Sequence, residues 1–276
     1  MRPSISSRRN LRSGGCWNPR RKGFCSAFVL AAAVGVVVIL CPPVTALDRS
    51  VGPEGAQIAI VKRALTFGLD GTNVRIGQIE GTGEPRTTHA ALAGAIIVRG
   101  VGPANSNHAT GVAGILIGRP FTPVGGPEIT GVASGARLWS TWFADTIGVD
   151  DFFRSTNWLT GNAVEIINMS DFLRAGAVAT GSMFVDHVVA NRDVIWVKSA
   201  GNGGPGAGTI TPPGDAFNAI AVGAVGADNA GNDSEDYTRV ANYSSRGPVD
   251  GRRKPDIVAP ARSSSCPPVE PTTPPR

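Results

Sequence analysis

Three segments of the chain carry side chains that can orient a partner group or stabilise a developing negative charge. Glu80 directly follows the apolar run VRIGQI and precedes a glycine-rich turn, so its carboxylate is placed to orient a partner at a sheet edge. His108 stands in NSNHATGVAGILIG, at the start of a helix rich in Ala and Gly. Asn202 follows VIWVKSAG, and a side-chain amide held among glycines at a strand end is what an oxyanion donor requires. Taken singly, the three residues also fit a solvated turn, a helix cap or surface histidine, and an Asn-Gly turn.

Alternating strand and helix patterns supply the frame for these residues. Six apolar runs bounded by glycine or turn residues predict strands, at residues 74–79, 94–98, 136–141, 164–170, 194–200 and 219–225. Helices are predicted at 109–118, whose small residues favour close packing on the sheet, and at 180–192, where apolar residues keep an approximate helical period: Met183, Phe184, Val188 and Val189. This order predicts a three-layer α/β fold, with a mostly parallel sheet, helices on both faces and its chemistry at the carboxyl ends of the strands.

Composition, charge and cysteine positions predict one globular domain with flanks. The chain has 276 residues, of which 42% are hydrophobic, and its 36 glycines and 21 prolines are spread between apolar runs. The net charge of +5 belongs to residues 1–47, which hold seven basic side chains and no acidic one, so no nucleic-acid partner is expected. The four cysteines lie in this leader and in the tail, so the folded part has neither a disulfide framework nor a thiolate metal site.

Residues 1–46 have the order of an export signal peptide. A basic region precedes the apolar run AFVLAAAVGVVVILC at 27–41, and the small residues Thr45 and Ala46 follow. The run is about as long as a signal-peptide core and short for a spanning helix, which predicts cleavage near Ala46. The mature protein is then secreted, periplasmic or at the cell surface, with no membrane contact of its own. An uncleaved anchor helix stays open as the alternative.

Five motifs, in order over about residues 60–260, resemble the subtilisin-like serine proteases, the subtilase family. HATGVAGIL is similar to the family's His-Gly-Thr-His-Val-Ala-Gly stretch, with His108 at the catalytic histidine. SAGNGG resembles the oxyanion-hole segment, with Asn202 as the donor, and Glu80 falls on the family's aspartate. NYSSRGP and KPDIVAP resemble two longer signatures. The resemblance implies a subtilisin-like fold and peptide-bond hydrolysis by acyl transfer, with Glu80 holding the tautomer of His108.

The chain departs from the family pattern at two places. Glu80 is one methylene longer than the family's aspartate, and a glutamate still accepts a bond from an imidazole N–H. After Pro260 the family continues to a Gly-Thr-Ser turn, whose serine is the nucleophile at the start of a core helix. Here ARSSSCPPVEPTTPPR follows, in which Ser263, Ser264 and Ser265 lie too close to Pro260 and lack a helix to hold them. The nucleophile serine is therefore predicted to be absent from this chain.

The domain prediction has four parts: a signal peptide at 1–46, a short segment at 47–65, a partial subtilase catalytic domain at 66–260, incomplete at its C-terminus, and a disordered Pro/Ser-rich tail at 261–276. The favoured interpretation is a secreted endopeptidase truncated by a frameshift, a sequencing error or an assembly break, and inactive as it stands. The alternatives are a non-catalytic peptide-binding relative and an unrelated nucleotide-binding protein, although EGTGEP lacks the spacing of a phosphate loop. The resemblance implies a polypeptide substrate, no required cofactor, and structural calcium at carboxylates that the sequence does not identify.

Overall fold

The described part of the chain folds around one seven-stranded sheet. The computed structural model describes residues 68–103, 105–122, 128–144, 150–173, 178–226 and 237–261. The predicted signal peptide at 1–46, the segment at 47–65 and all but the first residue of the predicted tail lie outside the described residues, so the division into four parts stays a prediction. Within the described ranges, no helix is long and apolar enough to cross a membrane.

All strands of the sheet run parallel. They are β1 (Arg75–Glu80), β2 (Ile96–Arg99), β3 (Arg137–Trp142), β4 (Ile166–Met169), β5 (Ile195–Ser199), β6 (Ile220–Val225) and β7 (Ile257–Pro260). The order across the sheet is β2-β3-β1-β4-β5-β6-β7, and each neighbouring pair is parallel. The first six strands coincide with the six predicted apolar runs, so the predicted parallel sheet is confirmed. β7 was not among the predicted strands.

Helices lie against both faces of the sheet, which confirms the three-layer α/β prediction. They are α1 (Asn107–Ile117), α2 (Asp150–Gly161) and α3 (Val178–Arg192), with a short 3-10 turn at Ala90–Leu92. α1 and α3 match the predicted helices, and α2 was not predicted. α2 begins with Asp150 and Asp151, whose charges favour the amino-terminal end of a helix dipole.

Each helical layer buries its own apolar cluster. On one face, Ala113 and Ile117 of α1 pack with Ile76 of β1 and Leu138 of β3. The opposite face carries the larger cluster, in which α2 and α3 cover β1, β4 and β5 with the buried residues Phe152, Leu159, Val185, Val188, Ile79, Ile167, Met169 and Trp196. Met183, one of the residues that set the predicted period of α3, is 69% exposed, and Val185 is buried in its place.

One part of the sheet is left open on the α1 face. Strand register puts Ile195 of β5, Ile220 of β6 and Ile257 of β7 on this face, since Val197 pairs with Ile220 and Val222 pairs with Ile257. The three isoleucines are 52%, 36% and 55% exposed. No helix among the described residues covers them, so this face of β5, β6 and β7 lacks a helical layer.

Truncation of Leu159 tests the larger cluster. Leu159 is fully buried and reaches to Gly77 of β1, so Leu159→Ala leaves a cavity between α2 and the sheet. We expect a loss of about 2–5 kcal/mol in the free energy of unfolding, measured by urea denaturation. Met183→Ala, on the exposed side of α3, is the matched control and is expected to change this free energy by about 0.5 kcal/mol or less. Equal losses in the two variants would contradict the described packing.

Candidate active site

The carboxylate of Glu80 ends β1 in a position closed to solvent. Glu80 is the last residue of β1, and its side chain is 0% exposed. Because β4 is the parallel neighbour of β1, Ser170, one residue after β4, lies beside Glu80, and its backbone N–H donates to Oε1 at 3.3 Å. The strand pairing thus supplies one of the hydrogen bonds that a buried carboxylate requires.

The first turn of α1 is fixed directly to β1. Ser106 caps the helix by accepting the backbone N–H of Ala109 on its hydroxyl at 3.1 Å. The side-chain amide of Gln78 on β1 donates to the carbonyl oxygen of Ala109 at 2.9 Å. Ala109 and Ala113 are fully buried, which confirms the close packing expected from the small residues, whereas Gly111 is exposed. His108, the second residue of α1, is therefore held over the end of β1.

The imidazole of His108 meets Glu80 through its Nε2 atom. Nε2 lies 3.1 Å from Oε2 of Glu80 and 3.2 Å from the carbonyl oxygen of Ser170. Both oxygens are acceptors, so Nε2 carries the ring proton of the neutral histidine and Nδ1 keeps a lone pair. The side chain of His108 is 47% exposed, so the ring also borders solvent.

Pairing and burial shift the pKa values of this couple. The hydrogen bond from His108 to Glu80 raises the pKa of His108, against an opposing effect of burial. Burial raises the pKa of Glu80, and the contacts with His108 and the Ser170 N–H partly offset that rise. The charged imidazolium is stabilised relative to that of a solvated histidine. This is the property that a proton acceptor gains from a neighbouring carboxylate.

A second carboxylate connects the loops that follow β1 and β4. Oδ2 of Asp171 accepts the N–H of Gly81, and Oδ1 accepts the N–H of Phe172, each at 2.8 Å. Trp142, at the end of β3, donates from Nε1 to the carbonyl oxygen of Gly81 at 3.0 Å. A Cβ at Gly81 would lie 2.8 Å from Oδ2 of Asp171, so a side chain at this position would require the carboxylate to shift.

Asn202 lies in an exposed loop, three residues beyond the end of β5. The preceding residue, Gly201, has a φ of +108°, and a Cβ there would lie 2.5 Å from Oγ1 of Thr211. The loop stands at the carboxyl ends of the strands, the same edge of the sheet as Glu80 and His108. Of the three predicted site residues, the structure brings Glu80 and His108 into contact and places Asn202 at their edge.

Two segments without catalytic groups of their own hold the loop after β5. The N–H of Thr211, in ITPPGDAF, donates to the carbonyl oxygen of Ala200 at 2.9 Å. Ser245, in NYSSRGP, donates its N–H to the carbonyl oxygen of Gly201 at 3.0 Å and accepts the N–H of Gly203 on its hydroxyl at 2.9 Å. These two motifs therefore position the backbone of the loop after β5. The chemistry of their side chains does not reveal this role.

A fully buried lysine lies at the end of β5. Lys198 is 0% exposed, and its Nζ contacts the carbonyl oxygen of Ser199 at 2.5 Å, the hydroxyl of Ser199 at 3.0 Å and Oγ1 of Thr211 at 3.4 Å. Burial lowers the pKa of Lys198 to about 8, although three nearby carboxylates favour its charged form. The sequence pattern places this lysine inside an apolar run and gives no sign that its amine turns inward.

The described residues contain no group of three or more His, Cys, Asp or Glu side chains that could hold a metal ion. Structural calcium therefore stays a prediction from the resemblance, without assigned ligands.

Two further residues that shape the site were not predicted from the sequence. Ser170 acts through backbone atoms, which no side-chain pattern shows, and the only sign of Asp171 is an acidic residue directly after a predicted strand.

Comparison with known proteins assigns the family. Residues 99–275, more than half of the chain, match the model of the subtilase family. The chain belongs to the subtilase family. The matched residues of this subtilase include His108 and Asn202 and begin after Glu80, whose place in the site rests on its contact with His108.

Individual relatives of this subtilase cover between half and three quarters of the chain. Pyrolysin from Pyrococcus furiosus is 31% identical over 170 residues, which are 52% of this chain and 12% of that protein. Subtilisin from Bacillus sp. (strain TA39) is 33% identical over 151 residues, 51% of this chain and 33% of that protein. The solved structure of the S41 psychrophilic protease has a TM-score of 0.54 and 26% identity, covering 75% of this chain and 72% of that one. The chain thus spans a third or less of the length of these two curated relatives.

Substitution of the carboxylate tests the Glu80–His108 contact. Glu80→Gln removes the charge that raises the pKa of His108, so we expect that pKa to fall in the variant. The measurement is an NMR titration of the imidazole Cε1 proton in both proteins. His89, whose pKa is lowered by burial and by Arg86, is the internal control and is expected to titrate alike in both. An unchanged pKa of His108 would show that the two side chains do not interact.

The buried lysine makes stability depend on pH in a defined window. The pKa of Lys198 is about 8 in the folded chain and the usual pKa of a lysine is 10.5, so between these values the unfolded chain binds more protons than the folded one. Stability contributed by this group therefore rises with pH, and we expect wild type to gain about 3 kcal/mol relative to Lys198→Met between about pH 8 and 10.5. Urea denaturation at several pH values measures the difference. A difference that falls or stays flat would mean that the amine is not buried.

Proposed function

We propose that this subtilase derives from a serine-type endopeptidase that hydrolyses peptide bonds by acyl transfer, with a polypeptide as substrate. The observation that carries the proposal is the contact between Glu80 and His108, in which a buried carboxylate at a strand end meets an imidazole at a helix start. The membership of the family and the order of its motifs support the same chemistry. The leader at 1–46 supports export, with a secreted or cell-surface location for the mature protein.

In this proposal each site residue has one role. His108 accepts the proton of the attacking hydroxyl and later returns it to the leaving amine. Glu80 orients the ring and stabilises the imidazolium that forms. Because Nε2 faces Glu80 and the Ser170 carbonyl, Nδ1 is the nitrogen that exchanges the proton. Asn202, on the exposed loop at the same edge, donates to the oxyanion of the tetrahedral intermediate.

The attacking hydroxyl is the component that we propose this chain lacks. Among the described residues, the imidazole of His108 contacts Oε2 of Glu80 and hydrogen-bonds to the carbonyl oxygen of Ser170, and no serine or threonine hydroxyl is hydrogen-bonded to it. Without a nucleophile the acyl-enzyme cannot form, and the residual rate comes from binding and oxyanion stabilisation alone. We therefore propose that the chain as given does not cleave peptides. The proposal gives a structural calcium ion a role in stabilising the fold and no role in catalysis.

The same observation favours a second candidate, a peptide-binding relative that does not cleave. The Glu80–His108 pair and the positioned loop after β5 are formed in the described residues, although no hydroxyl stands beside His108. A binding protein would keep the cleft and its backbone positions without covalent chemistry. It differs from the truncated protease in one testable respect, since restoring a nucleophile would be irrelevant to its activity.

Cleavage of an internally quenched peptide library separates the two candidates. The chain as given is expected to show no cleavage. The DNA past codon 260 is expected to encode Gly-Thr-Ser followed by an Ala-rich helix in another reading frame, and the protein extended in that frame is expected to cleave. In the extended protein, His108→Ala is expected to lower kcat/KM by about 100-fold or more, whereas His187→Ala, an exposed histidine on α3, serves as the matched control.

Three results would contradict the truncated protease. They are the lack of such a segment in both alternative frames, an extended protein that stays inactive, and cleavage that survives His108→Ala in full. Saturable binding of peptides by the chain as given, together with no coding segment downstream, would instead favour the binding protein.

A further inference from the structure

A serine hydroxyl and a buried amine meet at the end of β5. Nζ of Lys198 lies 3.0 Å from Oγ of Ser199, within hydrogen-bonding distance. The amine is anchored on either side, by the carbonyl oxygen of Ser199 at 2.5 Å and by Oγ1 of Thr211 at 3.4 Å. The lysine side chain is 0% exposed, whereas Ser199 is only partly buried. The amine of Lys198 is thus shielded from water, whereas Ser199 borders it.

Strand register places this serine at the same edge of the sheet as the candidate active site. Met169 pairs with Lys198 across β4 and β5, so Ser199 is level with Ser170, and Ser170 in turn donates its N–H to Glu80. Side chains alternate along a strand, which puts Ser199 on the α1 face, the face that bears Glu80. This is also the side of β5 that no helix of the described residues covers. By the same alternation the Lys198 side chain starts on the opposite face, and its amine meets Oγ of Ser199 at the strand end, where Ser199 is only partly buried.

We propose that Ser199 is an acyl acceptor activated by the amine of Lys198, and that its substrate class is carboxylic esters with a good leaving group. The pair lies at the carboxyl end of a parallel strand, where such folds hold their chemistry. It needs neither His108 nor the nucleophile that the chain is proposed to lack. The proposal therefore goes beyond the proposed function and stands or falls separately from it.

The environment of Lys198 suits a base. Burial disfavours the ammonium form and lowers the pKa to about 8, so roughly a tenth of the molecules hold a neutral amine at pH 7. The charged groups that face it are the carboxylates of Asp171, Glu80 and Asp215, all of which favour the ammonium and oppose burial. All three carboxylates are engaged elsewhere: Asp171 with the N–H groups of Gly81 and Phe172, Glu80 with His108, and Asp215 with the hydroxyl of Ser182 and the guanidinium of Arg252.

The chemical step is balanced within the pair and the ester. Oγ of Ser199 attacks the carbonyl carbon of the ester, and its proton passes to the neutral Nζ of Lys198. A new Oγ–C bond forms, and the bond between the carbonyl carbon and the leaving oxygen breaks, with its electron pair departing on that oxygen. A phenolate leaves as an anion without being protonated, whereas an amine leaving group needs a proton. An amide would need Nζ of Lys198 to return its proton to the amine, so activated esters are the less demanding substrates.

Acetylation by 4-nitrophenyl acetate tests the proposal on the full chain. We expect a burst of one equivalent of 4-nitrophenolate, one acetyl group on the peptide that contains Ser199, and a burst rate that rises with pH with a midpoint near pH 8. Hydroxylamine treatment is expected to remove the acetyl group, since it cleaves an ester and leaves an acetylated lysine intact. Acetyl found on the amine of Lys198, or on other residues only, would overturn the proposal.

Variants separate activation from folding. Lys198→Met is expected to slow the burst by about 100-fold or more, and Ser199→Ala to abolish acetylation of that peptide. Lys198→Arg keeps a cation that cannot act as a base, so it serves if Lys198→Met does not fold by circular dichroism. The matched control is Lys254→Met, because Lys254 is also buried but its amine contacts Asp256 and the carbonyl oxygen of Ala219, each at 2.7 Å, and not Ser199. A burst that survives Lys198→Arg, or one that Lys254→Met removes equally in a folded protein, would overturn the proposal.

Discussion

A carboxylate without access to water stands at the end of β1, and the arrangement of the site follows from its need for partners. A buried charge persists only where hydrogen-bond donors surround it. Glu80 obtains them from two elements, the backbone N–H of Ser170 after β4 and the imidazole of His108 on α1. β4 must therefore run parallel beside β1, and α1 must begin above the end of β1. The small residues of α1 and the amide of Gln78 make that second condition attainable.

The charged groups near this edge change one another's pKa values. His108 and Lys198 are cationic groups near this edge, and the carboxylates of Glu80 and Asp171 act on both. Glu80 raises the pKa of the half-exposed His108, whereas burial lowers the pKa of the enclosed Lys198. The same sheet edge thus holds His108, whose charged form is stabilised, and Lys198, whose neutral form is stabilised. The difference arises because Glu80 pairs directly with His108, whereas burial outweighs the carboxylates near Lys198.

The sequence predicted the parallel sheet because β1 to β6 are apolar runs between turn residues, and it predicted the Glu80–His108 pair only through the order of family motifs. It did not predict α2, since two of the four buried positions of that helix are Ser155 and Thr156, which weakens the apolar period. It did not predict β7, a short edge strand whose Ile257 is 55% exposed. Nor could it show the burial of Lys198, because the acceptors that hold its amine include Thr211 from a distant loop.

The most direct test of the central claim, that Glu80 and His108 form one interacting unit, is a double-mutant cycle on the free energy of unfolding. Wild type, Glu80→Gln, His108→Gln and the double variant are compared by urea denaturation at pH 6, where the raised pKa of His108 keeps the imidazole charged. The account predicts a coupling free energy of about 0.5–3 kcal/mol that stabilises the pair and decreases as the pH rises through the pKa of His108. Additive effects of the two substitutions at every pH would contradict it.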